Sequence, residues 1–594
     1  MSYNDEVARL LFEFADRLEA TGVEYKPTAY RRAAENVAEY PEPIEQLAAT
    51  GEDAVEAIDR VGDAIASKIV EYVETGEISE LEDLRESMPA DMAALTSVEG
   101  VGPKTVGTLY EELGITDLDE LEAAAEAGEI QEITGFGAKT EQNILDNIPF
   151  ARQSQQRERL GDARPVADTV TDYLAAHDDV DRVDVAGSIR RWKDTVGDID
   201  VLVASDASEA VVDAFTAWDD ADDVIEAGSH KSSVRADNVR IDLRVVVPEE
   251  FGAALQYFTG SKDHNVTLRN VAIDRGYKLN EYGLFDVSEL DDDANAAGND
   301  DETAEADSQR AGVRLAGETE TEMYDALGLN WIPPELREDT GEIEAAAEGT
   351  LPTLVETDDI RGDCHTHSEW SDGRHSIAEM VAAAADRGYE YHCVTDHASG
   401  PGIIEAIGLT DDDLREQMAA VDDARDDAAI DVFHGVETNI DADGSLSTDD
   451  DLLAELDLVV ASPHSALDQD TEAATERLCR AAEHPAVDII GHPTGRMINS
   501  REGLSADITA LAETAANHET ALEVNANPMR LDLRGEAVRA VVEADGTVAI
   551  NTDAHGPADF EHVRYGVRTA RRGWAEAADV LNTNSSDELE AFLH

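Results

Sequence analysis

The spacing of apolar and polar residues divides the chain into three kinds of region. Up to about residue 150, apolar residues recur at helical spacing in short segments separated by glycine-containing turns. From about 160 to 250, runs of β-branched residues predict strands at 182–185, 200–203 and 240–247. From about 358, short apolar runs alternate with alanine-rich helical segments. This order predicts a helical region, then an α+β region, then βα units in a barrel or a doubly wound sheet.

Two segments interrupt these patterns. Residues 286–316 are acidic and poor in apolar side chains, so we expect a solvated insertion there. Residues 338–357, which follow a pair of prolines and are rich in Glu, Ala and Gly, are predicted to be a linker.

The composition is strongly acidic. The 594 residues include 132 Asp and Glu but only 45 Lys and Arg, which gives a formal net charge of −87. At about 1 M salt the Debye length is only ~3 Å, so repulsion within such a body largely disappears. We therefore predict a protein of a high-salt cytoplasm.

Its 3 cysteines exclude a disulfide framework. We expect no secretory signal and no membrane partner, since no apolar run approaches the ~18 residues of a membrane span.

Three turns of similar sequence join helices in the first region. Two read Gly-x-Gly followed two residues later by lysine, and the third has Arg60 where the first glycine would be. Free backbone N–H groups at such turns bind phosphate. An ordinary αα-hairpin is the alternative for any single turn. Together the turns resemble helix-hairpin-helix motifs, which imply DNA binding without sequence readout. The residues predicted to bind DNA are Gly62, Gly100, Gly102, Lys104, Gly135, Gly137 and Lys139.

Three aspartates of the second region are predicted to converge. Asp198 and Asp200 are two residues apart in an extended segment, so they face the same side, ~6.6 Å apart. Asp242 lies in the middle of another apolar strand. Three carboxylates suit two divalent cations, Mg²⁺ or Mn²⁺, in phosphoryl transfer. Solvated aspartates at strand ends are the alternative.

A glycine-serine pair precedes these aspartates. Gly187 and Ser188, at a predicted helix start, can hold a triphosphate, and Arg191 adds positive charge. The order Gly-Ser, Asp-x-Asp, then Arg240-x-Asp242-x-Arg resembles the polymerase beta-like nucleotidyltransferase palm of family X DNA polymerases. The segment 257–269 is similar to the nucleotide-selecting part of that family's thumb, and the resemblance covers residues 1 to about 337.

The resemblance implies further roles. The Tyr257-Phe258 pair would abut the sugar, Asn265 would contact the base, and Arg269 would contact the minor groove on the template side. The resulting nucleotide-binding set is Gly187, Ser188, Arg191, Arg240, Tyr257, Phe258, Gly260, Asn265 and Arg269.

One lysine of the first region also gains a role from the resemblance. Lys68 falls where the family's Schiff-base lysine stands, which adds deoxyribose-phosphate lyase as a candidate activity. A surface lysine is the alternative.

The third region contains 13 of the 16 histidines. His and acidic residues stand at or just after its predicted strands, where sites form in βα barrels. Imidazole and carboxylate ligands suit Zn²⁺, Mn²⁺ or Fe²⁺, and so many ligands imply a bridged cluster of two or three ions, with Glu437 as the best bridge. The candidate ligands are His365, His367, Asp372, His397, Glu437, His464, His492, Asp553 and His555.

This pattern resembles the PHP (polymerase and histidinol phosphatase) family. The resemblance implies a distorted barrel of seven βα units, and it matches all nine candidates, in order, to the family's trinuclear site. Asp372 stands where some members have His. Such a site is expected to cleave phosphodiesters or phosphomonoesters.

Both resemblances together match the prokaryotic type of family X polymerase with an appended PHP domain. They imply a template-directed DNA polymerase that fills short gaps in base excision repair or end joining. They also imply a PHP-domain 3′-5′ exonuclease, 3′-end processing or abasic-site nuclease. The expected partners are gapped or nicked DNA and dNTPs, and the expected state is a monomer. The alternatives are a small-molecule phosphatase fused to a nucleotidyltransferase of another acceptor, and a catalytically dead DNA-binding scaffold.

The resemblances also give names to the predicted domains. These are a gap- and 5′-phosphate-binding domain (1–88), a fingers-like helix-hairpin-helix domain (89–150), the palm (151–250), the thumb (251–337), the linker (338–357) and the PHP domain (358–594).

Overall fold

The computed structural model describes the chain except for residues 1–2, 24–25, 39, 41–43, 57, 59, 99, 156, 238, 289–308, 404–406 and 594. Most of the predicted acidic insertion therefore lies outside the described residues. The chain divides into two compact units: Met1–Arg157 with Asn499–Arg501, and Glu158–Ile498 with Glu502–His594. Among the described residues, none of the helices combines the length and the apolar character that crossing a membrane requires.

The first unit is helical and contains two apolar cores. Leu11 and Phe14 belong to the first core, and Leu109 and Leu121 belong to the second. Acidic N-caps help to start the later helices, as where Asp117 accepts a hydrogen bond from the backbone N–H of Glu120 at 2.9 Å. The helices are α1 (Tyr3–Ala20), α2 (Lys26–Ala38), α3 (Ile44–Thr50), α4 (Glu52–Val55), α5 (Asp63–Thr75), α6 (Ser79–Ser87), α7 (Met92–Thr96), α8 (Pro103–Leu113), α9 (Leu118–Glu126) and α10 (Ala138–Gln155).

The second unit contains a five-stranded sheet in the order β2 (Arg182–Val185), β4 (Ile199–Ala204), β7 (Val239–Val246), β6 (Lys231–Ala236) and β5 (Asp223–Ala227). Strands β4 and β7 are parallel, and the other pairs are antiparallel. The β-branched runs noted in the sequence supply β4 and β7, whose apolar side chains are buried except for half-buried Val246. The elements are β1 (Glu158–Arg159), α11 (Leu160–Ala175), β2 (Arg182–Val185), α12 (Gly187–Arg190), β3 (Thr195–Val196), β4 (Ile199–Ala204), α13 (Ser208–Thr216), β5 (Asp223–Ala227), β6 (Lys231–Ala236) and β7 (Val239–Val246).

Helices and a three-stranded antiparallel sheet follow. Part of the range predicted as a linker is helical: Ile343 and Ala346 of α17 enter the local apolar core, and the carboxylate of buried Glu342 lies 2.6 Å from Nδ1 of His264. The elements are α14 (Phe251–Thr259), α15 (Lys262–Asp274), β8 (Tyr277–Asn280), β9 (Gly283–Asp286), β10 (Val313–Ala316), α16 (Glu320–Ala326) and α17 (Glu342–Glu348).

The last region is a seven-stranded parallel sheet whose strands follow chain order from β11 to β17. A bridge between Thr366 and Ala554, beyond the ends of β11 and β17, brings the two edges together, so the sheet is a nearly closed barrel. The elements are β11 (Gly362–Asp363), α18 (Ile377–Asp386), β12 (Tyr391–Val394), α19 (Asp411–Asp427), β13 (Asp431–Asn439), α20 (Asp450–Leu453), β14 (Leu458–Ser462), α21 (Thr471–Ala482), β15 (Ile489–Ile490), α22 (Ile508–His518), β16 (Ala521–Asn525), α23 (Gly535–Glu543), β17 (Val548–Asn551), α24 (Val563–Arg572) and α25 (Ser586–Phe592).

The five-stranded sheet region and the barrel share a packed boundary. Leu531 and Tyr565 of the barrel region belong to the same apolar core as residues of α11, β4 and β7. Gly161 of α11 lies so close to Pro528 that an added Cβ would stand 2.4 Å from the proline Cβ. The boundary is therefore packed as closely as a domain interior.

Candidate functional sites

The three aspartates of the five-stranded sheet meet beside its central parallel pair. Asp200 of β4 and Asp242 of β7 are direct partners in the register, and Asp198 stands two residues before Asp200. Burial, with the neighbouring charges of Asp198 and Asp242, raises the pKa of Asp200 to about 7. Such crowding of negative charge favours bound cations. Asp200 and Asp242 border a cavity of about 200 Å³.

Gly187 lies in close contact with the Asp200 carboxylate. Its φ is +62°, and an added Cβ would lie 2.2 Å from Oδ2 of Asp200. Only glycine therefore allows the start of α12 to approach the carboxylate so closely. The predicted cradle residues Gly187 and Ser188 lie directly beside the predicted metal-binding aspartates as a result.

Two arginines of the site already have partners. Nε of Arg240 donates to Oδ1 of Asp242 at 2.8 Å. Arg191 donates through Nε to Glu338 and through Nη1 to the carbonyl oxygen of Thr259, both at 2.8 Å. A nucleotide that binds Arg191 would compete with Glu338, a residue that the sequence motifs do not single out.

The predicted nucleotide-selecting segment ends α14 and begins α15. Tyr257 and Phe258 pack edge to face with ring centroids 5.1 Å apart. Nδ2 of Asn265 donates to the carbonyl oxygen of Tyr257 at 2.7 Å, and a Cβ on Gly260 would lie 2.6 Å from Oδ1 of Asn265. Arg269 is exposed on α15. Four of the five predicted residues are therefore in mutual contact, namely Tyr257, Phe258, Gly260 and Asn265. Arg269 lies apart from them at the surface.

Arg244 also belongs to this site, although the sequence motif alone assigned it no role. Its guanidinium lies 4.2 Å from the centroid of the Phe258 ring and lines the cavity beside Asp200. Burial lowers its pKa. The signal in the sequence was the alternation Arg240-x-Asp242-x-Arg244, which places all three side chains on one face of β7.

The three helical turns of the first unit share one backbone conformation. The first position of each has positive φ: +60° at Arg60, +84° at Gly100 and +101° at Gly135. Arg60 thus adopts the conformation that glycine supplies in the other two turns. The second glycines, Gly62, Gly102 and Gly137, directly precede α5, α8 and α10, and all three are exposed, as are Lys104 and Lys139.

Lys68 lies on α5 in a partly enclosed position. Its Nζ is 2.7 Å from Oε2 of Glu80 and 5.4 Å from the centroid of the Phe14 ring. Burial alone would lower the pKa of Lys68, but Glu80 and Tyr30 outweigh that effect and raise it. The amine is therefore held protonated, whereas imine formation needs it neutral.

The nine candidate ligands of the third region gather at the carboxyl ends of the barrel strands. Glu437 of β13 is fully buried at their centre. Its Oε2 lies 2.5 Å from Nδ1 of His397, and its Oε1 lies 2.9 Å from Nε2 of His492 and 3.3 Å from Nε2 of His464. Although burial opposes the charged form, the imidazoles of His397 and His365 hold the pKa of Glu437 well below its usual range. Glu437 thus stands where a bridging ligand would.

The donor atoms form three overlapping groups, each of a size that suits one cation. Within the described part of the chain, Nε2 of His365, both ring nitrogens of His367 and Oε2 of Glu437 make no well-aligned hydrogen bond, although charged neighbours stand close to them, which fits atoms that face a metal. His492 joins the groups through Glu437. The groups are His367, Asp372, His397 and His555; His365, His367 and Asp553; and His397, Glu437 and His464.

A second layer of polar side chains orients these ligands. Oε1 of Glu523 lies 2.8 Å from Nδ1 of His365, and its Oε2 accepts the backbone N–H of His492 at 2.6 Å. Oδ1 of Asn439 lies 2.7 Å from Nδ1 of His464. Such partners fix the ring that faces the metal. The sequence motifs single out neither residue; Glu523 is marked in the sequence by being a lone carboxylate in the apolar run of β16.

Family models match most of the chain. A helix-hairpin-helix domain model matches residues 2–78, and a SAM-like helix-hairpin-helix tandem matches 92–148. A DNA polymerase beta thumb model matches 254–338, and a PHP domain model matches 363–527.

Whole-chain similarity agrees with these models. The chain is 36% identical over 596 residues to the DNA polymerase/3′-5′ exonuclease PolX of Bacillus subtilis (strain 168), covering 100% of this chain and 99% of that protein. It is 25% identical over 356 residues to DNA polymerase lambda of Rattus norvegicus, covering 57% of this chain and 56% of that protein. A probable phosphatase of Shewanella sediminis (strain HAW-EB3) is 30% identical over 204 residues, which are 32% of this chain and 77% of that protein.

The predicted resemblance and fold class are thus confirmed, since both the polymerase and the PHP matches occur in the expected order along one chain. The chain belongs to the family X DNA polymerases that carry a C-terminal PHP domain.

Proposed function

We propose that the protein is a template-directed DNA polymerase that fills short gaps during DNA repair and that its PHP domain is a 3′-5′ exonuclease. The observation that carries the proposal is the pairing of Asp200 with Asp242, with Asp198 two residues away and Gly187 against the Asp200 carboxylate. The relatives named for polymerase and exonuclease activity support both halves.

In the palm, Asp198, Asp200 and Asp242 would hold Mg²⁺ or Mn²⁺. Those cations supply Lewis acidity toward the primer hydroxyl and neutralise triphosphate charge when bound. Backbone N–H groups at Gly187 and Ser188, with Arg191, orient the triphosphate, and Arg240 keeps the Asp242 carboxylate in place.

Further residues would select the nucleotide and grip the DNA. We assign Tyr257, Phe258, Gly260 and Asn265 to the sugar and base of the incoming nucleotide and Arg269 to the template side. The turns at Gly62, Gly100, Gly102, Gly135 and Gly137, with Lys104 and Lys139, would bind the DNA backbone.

In the PHP domain, the nine candidate ligands would hold two or three ions of Zn²⁺, Mn²⁺ or Fe²⁺; six of the nine are buried, and Asp372, His464 and His555 are half-buried. Bound ions supply Lewis-acid chemistry for phosphodiester hydrolysis. Glu523 and Asn439 keep the rings of His365 and His464 turned toward the ions. The same chemistry would serve 3′-end processing or cleavage at abasic sites.

A one-nucleotide gapped duplex tests the proposal. The full-length protein is incubated with this duplex, each dNTP in turn and Mg²⁺ or Mn²⁺ in molar KCl. We expect insertion of the nucleotide complementary to the template and, without dNTP, shortening of the primer from its 3′ end. Insertion that ignores the template base, or no reaction at either end, would contradict it.

The domain boundaries 1–88, 89–150, 151–250, 251–337 and 358–594, a monomeric state and a high-salt cytoplasm also belong to this proposal. The net charge of −87 supports the last point. Thermal unfolding in a KCl series tests it, since equal stability at about 0.1 M and about 2 M KCl would exclude dependence on screening.

The last part of the proposed function is deoxyribose-phosphate lyase activity at Lys68. Borohydride trapping on gapped abasic DNA, with Lys68→Ala as the control, tests it. The ion pair with Glu80 opposes formation of the neutral amine, so we expect trapping to increase with pH.

A further inference from the structure

A short segment of the palm, residues 191–195, lies against the PHP domain. It connects α12, which carries Gly187 and Ser188, to β3 and then to Asp198. It is tied to α12 by the backbone N–H of Lys193, which donates to the carbonyl oxygen of Ser188 at 3.1 Å. Any shift of the segment therefore reaches both the nucleotide cradle and the first of the three aspartates.

Trp192, within this segment, has a strained backbone conformation. Its φ is +55°, which is unusual for a bulky residue and persists only where the surroundings enforce it. The surroundings are partly those of the PHP domain: the ring of Tyr565 is 5.9 Å away between centroids, and the guanidinium of Arg568 is 5.3 Å from the Trp192 ring. On the palm side, Arg164 lies 4.8 Å from the same ring.

Asp194 fastens the segment by charge. Its Oδ2 accepts a hydrogen bond from Nη1 of Arg496 at 2.9 Å, and its Oδ1 lies 4.0 Å from Nη1 of Arg572. Although burial opposes the charged form, these two arginines hold the pKa of Asp194 well below its usual range. The backbone oxygen of Asp194 also accepts from the N–H of Leu160 at 3.0 Å.

Arg496 is itself immobilised. Only 5% of its surface is exposed, and it donates to the carbonyl oxygens of Arg530 at 2.8 Å and Leu531 at 2.5 Å. It follows the predicted ligand His492 by four residues in the chain. A buried arginine whose guanidinium donates three hydrogen bonds has little freedom to move, unlike a charged side chain at the surface.

We propose that Asp194 is a positioning residue for nucleotide addition, held by Arg496 of the PHP domain. The PHP domain thereby sets the geometry of the nucleotide cradle in addition to its own hydrolytic role. This inference rests on the proposed polymerase function. It predicts that incoming-nucleotide binding depends on a contact made by the other catalytic domain of the chain.

Steady-state insertion into one-nucleotide gapped DNA by full-length Asp194→Asn tests the proposal. We expect the KM for the complementary dNTP to rise about tenfold, because displacement of positioning groups by ~1 Å has effects of this size or larger. The kcat should fall by less than the KM rises, because Asp200 and Asp242 lie outside the segment, and the Kd for the gapped DNA should stay the same, since the helical turns are not altered.

Asp168→Asn is the matched control. Asp168 also forms an ion pair across the boundary, with Arg564 at 3.2 Å, but lies on α11 and is related to the segment only through Arg164, whose Nε donates to Oδ1 of Asp168 at 2.7 Å. We expect its dNTP KM to match wild type. An equal rise in both variants would show general loosening of the boundary and overturn the proposal, as would an unchanged KM in Asp194→Asn.

Arg496→Lys provides a second variant in case Asp194→Asn folds poorly. It keeps a positive charge but cannot make all three hydrogen bonds, so we expect a smaller rise in the dNTP KM. Failure of wild type to insert any nucleotide would refute the proposed function itself. Normal wild-type insertion with an unchanged KM in Arg496→Lys would refute only the positioning role.

Discussion

The two candidate metal centres are built in opposite ways. In the palm, three aspartates crowd beside an open cavity, and burial with mutual repulsion raises the pKa of Asp200 to about 7. In the PHP barrel, acidic and basic ligands alternate around buried Glu437, and Glu523 and Asn439 hold the rings behind them. The palm aspartates thus gather like charges that bound cations would neutralise, whereas the protein itself places groups of both charges close together in the barrel site.

This difference indicates which substitutions should impair each activity. A site that gathers like charges depends on every ligand for cation binding, and its apo form carries unfavourable electrostatic energy. A site with an ordered outer layer depends in addition on residues that touch no substrate.

The largest effect is expected from Asp200→Ala. Loss of the central carboxylate should lower gap-filling kcat by a thousandfold or more, about 4 kcal/mol of transition-state stabilisation. The exonuclease activity of the same preparation should stay within about twofold of wild type, and it serves as the folding control. Synthesis that survives in this variant would remove Asp200 from the reaction.

His365→Ala is the converse change. His365 has neighbours in two layers, since its Nε2 faces Glu437 at 3.4 Å and its Nδ1 faces Glu523 at 2.8 Å. We expect 3′-5′ exonuclease activity to fall by about a hundredfold or more and nucleotide insertion to persist. Single-turnover assays on the same DNA measure both, and unchanged primer shortening would contradict the assignment of the barrel site.

Glu523→Gln separates the outer layer from the ligands. The single amide oxygen cannot accept from both His365 and the backbone N–H of His492. The imidazole of His365 should therefore be less well oriented and less basic. We expect PHP-domain metal affinity to fall by about 10- to 100-fold. Metal content after dialysis against a graded chelator series measures this, with Glu519→Gln, an exposed residue beyond α22, as the control. Full metal retention would show that the outer layer is dispensable.

The smallest effect concerns the palm without cations. The folded-state pKa of Asp200 is about 7, against an ordinary value of 3.8, so its stabilising protonated form is lost as pH rises through about 7. Asp200→Asn should therefore raise the Tm of metal-free protein by about 2 °C at pH 8.5 and by less than half as much at pH 5, where only the first part of the interval between the two pKa values has been crossed. Thermal unfolding in molar KCl at both pH values measures the difference. An equal change at both would show that the charge is not the cause.

The sequence predicts some features well because local rules fix them. Alternation along β4 and β7 places Asp198, Asp200 and Asp242 on one face, and the strand ends of a parallel barrel collect the histidines. The positive φ at Arg60 could not be read from residue type, since only its alignment with Gly100 and Gly135 suggests it.

Contacts between distant segments escape such rules. Glu523 is 158 residues from His365, and Asp194 is 302 residues from Arg496, so no spacing relates either pair. The helix α17 was also hidden, because its short Glu- and Ala-rich sequence reads as a linker until Ile343 and Ala346 find a core to enter. Tertiary packing, not local propensity, decides these cases.

The contact between Gly161 and Pro528 limits how the gene can be divided. Although homology suggests interchangeable modules, a fragment ending near residue 337 would expose Trp192 and α11 to water, and a grafted barrel with a bulkier side chain at position 528 would clash with α11. Truncated proteins should therefore be compared with full-length point variants before lost synthesis is attributed to missing chemistry.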